Sequence, residues 1–185
     1  MATLKLVSSD LNNESVPLLH DFDFEREEAL KYSGAYLALF NRSKASAEEA
    51  VKAIVYENPR HYDSNVKIFQ QHLEEMRSHG LNAGLSETEV DEAKKDLFRK
   101  FYSMFLEEGK KLYEVLGKLY LIKGRIDDED YINYLTSIAE AAGISSGQIQ
   151  DDRAKLREFA MAIADQELMG SLHEEWLMLN LLRSS

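Results

Sequence analysis

The chain has 185 residues, 44% of them hydrophobic and 30% charged, the size and composition of one globular domain rather than of a collagen-like, mucin-like or wholly disordered chain. It contains no Cys, which excludes disulfides, thiol redox chemistry and thiolate metal sites. With 33 Asp and Glu against 22 Lys and Arg, the formal net charge of -11 repels nucleic acid and anionic membranes, so no direct nucleic-acid partner is expected.

Residues Met1 to Val7 carry one Lys and a short apolar patch, not the sustained apolar core of a signal peptide. No stretch approaches the roughly 18 uninterrupted apolar residues of a membrane span, and a cytoplasmic location is expected. The sequons at Asn13-Glu14-Ser15 and Asn41-Arg42-Ser43 therefore carry no weight. Asn12-Asn13, Val16-Pro17 and the alternation Asp21-Phe22-Asp23-Phe24 show no helical period, so residues 1–23 are expected to form an extended arm ahead of a helical domain over 24–185.

From Phe24 to Phe40, Ala29, Tyr32, Tyr36, Leu37 and Phe40 recur at helical spacing. Ser46 to Glu49 reads as a capping box that opens a short helix stopped by Pro59. A third helix from about Asp63 places Val66, Phe69, Leu73 and Met76 on one face and ends at Gly80 as a left-handed terminator. Ser86 to Glu89, a second capping box, opens the longest pattern, through Val90, Leu97, Phe101 and Phe105. It resumes after Gly109 with Leu112, Val115, Leu116 and Leu119, so Gly109 reads as a kink or break. Asp127 is expected to cap a helix whose inward face is Tyr131, Tyr134, Leu135, Ile138 and Ala142, ended by Gly143. A third box, Ser145 to Gln148, leads to a helix with Leu156, Phe159, Ala160 and Ile163, and Gly170-Ser171 separates a final segment bearing Trp176. The expected fold is all-α: a single bundle of seven or eight helices with short loops behind the extended arm.

Gly143-Ile144-Ser145-Ser146-Gly147 spells the hydrolase nucleophile elbow, but a helix precedes it where the elbow needs a strand. It reads as a helix stop followed by an N-cap, and no catalytic residue is assigned. His72, Glu75 and His79 fall on one stripe of the third helix, a pattern able to present imidazole and carboxylate to a divalent metal. The two His are roughly 10 Å apart along the axis, however, and Glu74 and Arg77 mark a solvated face, so no metal and no cofactor is assigned. Asp127 to Asp130 lacks the alternate ligands and central Gly of a calcium loop and suits the first turn of a helix.

The helix Leu112 to Ile122, the turn Lys123-Gly124-Arg125-Ile126-Asp127 and the helix through Gly143-Ile144-Ser145 resemble the helical hairpin of the tellurite-resistance TerB-like domains. Gly124, Ile126, Asp127 and Gly143 match the family pattern, whereas Lys123 replaces its Asp and Asp130 stands where Glu is usual. The resemblance covers residues 112–145. It implies an accessory helical domain and carries over no metal site, because the family's metal binding relies partly on the replaced Asp.

Two segments are candidates for protein binding. Leu172, Trp176, Leu177, Met178, Leu179, Leu181 and Leu182 wrap most of the way round the last helix, either as a face that wants a partner or as a helix sunk between two others. Phe22 and Phe24, flanked by acid, are either a docking peptide or anchors on the protein's own bundle. The expected function is therefore that of a non-enzymatic acidic helical protein that binds other proteins as adaptor, regulator or inhibitor. Its expected partners are a basic nucleic-acid-binding surface or a second copy joined through the C-terminal helix. The alternative is a small-molecule or metal-binding helical domain, or an enzyme with an unrecognised site, using the His and Glu stripe or a cavity lined by Phe98, Phe101, Tyr102 and Tyr120.

Overall fold

The computed structural model describes residues 4–57 and 59–183, with side chains for 28–57, 60–180 and 183. Those residues are all-helical, in the order α1 (Leu4–Tyr56), a 3-10 turn (Pro59–His61), α2 (Tyr62–Asn82), α3 (Glu87–Lys123), α4 (Glu129–Ala142) and α5 (Ser146–Arg183). Among them no helix is long and apolar enough to cross a membrane.

Five helices stand where seven or eight were expected, because three expected breaks are bridged. The box at Ser46 lies inside α1: Phe40, Ser43, Ala47, Ala50, Val51 and Ile54 are all buried and form one unbroken stripe through it. Burial of that stripe outweighs the local cap, whose worth is about 1 kcal/mol. Gly109 does not break α3 but admits a neighbour, since a Cβ there would meet the Tyr131 hydroxyl at 2.0 Å. Gly170 lies within α5 with nothing near it, and the helix runs on.

Further boundaries move for equally local reasons. Gly80 is not the terminator of α2; it is buried in the helix where a Cβ would crowd Val90 and Phe40, and the left-handed residue is Gly84, at φ +88°. Helix α1 begins at Leu4, so the extended arm expected over 1–23 is replaced by helix from that residue, while Phe22 and Phe24 lie outside the residues whose side chains are described. Ser86 caps α3 as expected, accepting from the Glu89 N–H while the Ser86 N–H donates to the Glu89 carboxylate at 2.8 Å. Gly124 and Gly143, at φ +68° and +71°, end α3 and α4.

The core has two parts strung along α3. The larger gathers Val51, Phe69, Met76, Leu97, Phe101 and Leu135 from α1 to α4, with Phe69 edge-on to Phe98 and Phe101. The smaller holds Tyr113, Leu116, Leu156 and Ala160 between α3 and α5. There the helices touch backbone to backbone, for a Cβ on Gly117 would lie 2.3 Å from the Ala160 carbonyl oxygen.

Candidate functional site

Helix α5 buries Ile149, Leu156, Ala160 and Ala164 against the bundle. It runs in the same direction as α3, since Tyr102 meets Asp152 near its start and Gly117 meets Ala160 further on. Helix α3 stops at Lys123 while α5 continues to Arg183. Beyond Ala164 no described side chain of α5 is buried: Leu172 is 50% exposed, Trp176 60%, Met178 64% and Leu179 57%. Leu168, Met169 and Leu177 are exposed as well, and the His173 ring stacks on Trp176. Four residues singled out from the sequence, Leu172, Trp176, Leu177 and Leu179, thus lie on one projecting helix, not between two others. The side chains of Leu181 and Leu182 are outside the described residues.

Single exposed apolar residues are ordinary on a protein surface, but a contiguous group is not. A second group was missed in the sequence. Leu112 and Val115, expected to face inward, are exposed on α3 together with Ile122, while Leu116 is buried. Only the face of α3 that carries Tyr113, Leu116 and Gly117 is covered by α4 and α5 there, and periodicity does not say which of two apolar faces finds a neighbour.

What aims α5 is a buried polar cluster. Asp128, next to the expected cap Asp127, has a fully buried carboxylate that accepts from the Arg153 Nη2 at 2.7 Å, the Arg157 Nη2 at 2.7 Å and the Tyr113 hydroxyl at 2.8 Å. The Nε atoms of both Arg complete two-pronged bonds. Burial pushes the Asp128 carboxyl up, but the bonds from Arg157, Arg153 and Tyr113 outweigh it and hold the group well below the usual carboxylate range. Burial, and then the bond to Asp128, pushes the Tyr113 hydroxyl far up, so it stays a donor. One carboxylate therefore ties the start of α4 to α3 and α5. Its bonding capacity is filled, which makes it a structural latch. The signal in the sequence was Arg153 and Arg157 at i and i+4 beside the apolar Leu156 and Ala160, two cations on an inward face.

The metal candidates do not converge. His72 Nδ1 lies 3.0 Å from Glu75, whereas His79 Nδ1 lies 3.2 Å from Ser43 on α1. No group of three His, Asp or Glu side chains able to share an ion occurs among the described residues. The aromatic set divides too. Phe98 and Phe101 line a cleft of about 290 Å³ with Phe69, Leu73 and Tyr134, but the Tyr102 hydroxyl donates to Asp152 on α5 at 2.9 Å and neither it nor Tyr120 lines the cleft. Gly143 and Ser145 of the apparent elbow act as a left-handed stop and an N-cap, the Ser145 hydroxyl accepting from the Gln148 N–H.

No protein-family model, no curated protein and no solved structure matches the chain.

Proposed function

We propose that this protein works by binding another protein through the overhanging half of α5, as a non-enzymatic helical adaptor or regulator. The observation that carries the reading is the run of exposed apolar side chains at Leu168, Met169, Leu172, Trp176 and Leu179 on a helix that has left its bundle neighbour behind. An amphipathic helix laid into an apolar groove uses such i, i+4 and i+8 anchors, with Trp a frequent centre of binding energy. Asp165, Glu174 and Glu175 flank the anchors, and the chain as a whole is acidic, so a foreign groove would carry a basic rim. The TerB-like resemblance of residues 112–145 adds the same reading, that of an accessory helical domain.

The test compares purified complexes from native extracts formed by wild type, Trp176→Glu and Val115→Glu. A defined protein recovered with wild type and Val115→Glu but lost with Trp176→Glu supports the reading. Equal recovery of that protein by all three overturns it. The second reading, a small apolar ligand, draws on the cleft at Phe69, Phe98 and Phe101, and an apolar dye displaced by Phe98→Ala but not by Trp176→Glu would favour it.

A further inference from the structure

We infer that the partner of the α5 overhang is a second copy of the same overhang, laid against it in the opposite direction. This deepens the protein-binding reading and rests on it. At 100° per residue Asp165, Met169, Leu172, Trp176, Leu179 and Arg183 fall within an arc of about 80°, turned roughly 160° from the stripe that Ala160 and Leu156 present to the bundle. Their spacing is the same read from either end: reversal about Glu174 exchanges Asp165 with Arg183, Met169 with Leu179, and Leu172 with Trp176.

That symmetry is what a two-fold interface requires, because each residue must meet its counterpart on an identical surface. Antiparallel pairing sets each Trp176 over the smaller Leu172 of the other copy and each Met169 beside a Leu179. It also brings Asp165 of one copy to Arg183 of the other at both ends, giving two attractive contacts between chains that otherwise repel through a charge of -11 each. Parallel pairing would instead set Asp165 against Asp165 and Arg183 against Arg183.

The overhang has the right length. From Asp165 to Arg183 is about 27 Å of helix, and Asp165 follows Ala164, the last residue of α5 buried against the bundle. The second helix thus ends where the bundle begins, on the side facing away from it. A pair of five-turn stripes buries less than the roughly 1,200–2,000 Å² of a stable standard-size interface, so the dimer is weak and reversible.

The absence of native Cys makes the geometry directly testable in the full chain. Single variants Asp165→Cys and Arg183→Cys are oxidised separately and as a mixture, and sedimentation velocity of wild type and Leu172→Glu is followed over a concentration series with circular dichroism as the check on folding. Antiparallel pairing is supported by a cross-link that forms in the mixture and not in either variant alone, with a wild-type dimer that grows with concentration and is absent in Leu172→Glu at unchanged helicity. Cross-links within each separate variant overturn the orientation. A wild type that stays monomeric throughout overturns self-pairing, while loss of a foreign partner on Trp176→Glu would still support the broader reading. The two failures are therefore distinct.

Discussion

The Asp128 carboxylate shows how much one side chain is asked to do in this protein. Replacing it with Asn leaves two guanidinium groups without their charge partner, and because both Arg side chains retain some solvent access they recover part of the loss. Asp128→Asn should cost about 3 kcal/mol at neutral pH, read from urea unfolding midpoints. The pH dependence follows from the direction of the shift. Since the folded group titrates below its unfolded value of about 3.9, its contribution is complete above roughly pH 5 and fades as pH falls further, so the gap between wild type and Asp128→Asn should close with acid. Glycine offers a test of opposite signs. A methyl on Gly117 collides with the Ala160 backbone, which cannot swing aside, so Gly117→Ala should destabilise by about 2 kcal/mol despite better helix propensity. Gly170→Ala meets nothing and should stabilise by about 0.5–1 kcal/mol.

At the level of elements, the faces of α2 and α4 were legible, because Phe69, Met76, Leu135, Ile138 and Ala142 lie on the single apolar stripe of each helix and are all buried. What the sequence concealed were the joins. Ser46 and Ser86 head the same four-residue pattern, yet only Ser86 follows a left-handed Gly and starts a helix. Ser86→Ala should therefore cost about 1 kcal/mol, whereas Ser46→Ala, mid-helix, should raise stability by about 0.5 kcal/mol; thermal unfolding of the pair decides it. Glycine misled for a related reason. At Gly80 and Gly109 it marks close approach by a residue distant in sequence, which a local reading takes for a break. The exposed tail of α5 was visible as too many apolar positions for one face, but whether a neighbour covered it depended on where α3 ended. The latch at Asp128 was hidden because its partners lie 25 and 29 residues away.

For the whole molecule, the described part of the tail beyond Ala164 adds little to the bundle's own burial, so deleting residues 168–185 should leave the melting temperature within a few degrees while removing association. The division of the core along α3 carries a further consequence. The first half of that helix is anchored by Val90, Leu97 and Phe101 in the larger core, the second by Tyr113 and Leu116 in a smaller one that relies on an ion pair. Amide exchange should then report two free energies along one helix. Amides of residues 90–105 exchange only when the chain unfolds as a whole, and those of residues 110–123 exchange through a partial opening that swings α5 away. Acid lowers the second barrier first, because protonation of Asp128 releases both arginines. Only below roughly pH 4, where the carboxyl freed by the opening takes up a proton, should acid therefore loosen the base of the projecting helix before it melts the protein that carries it.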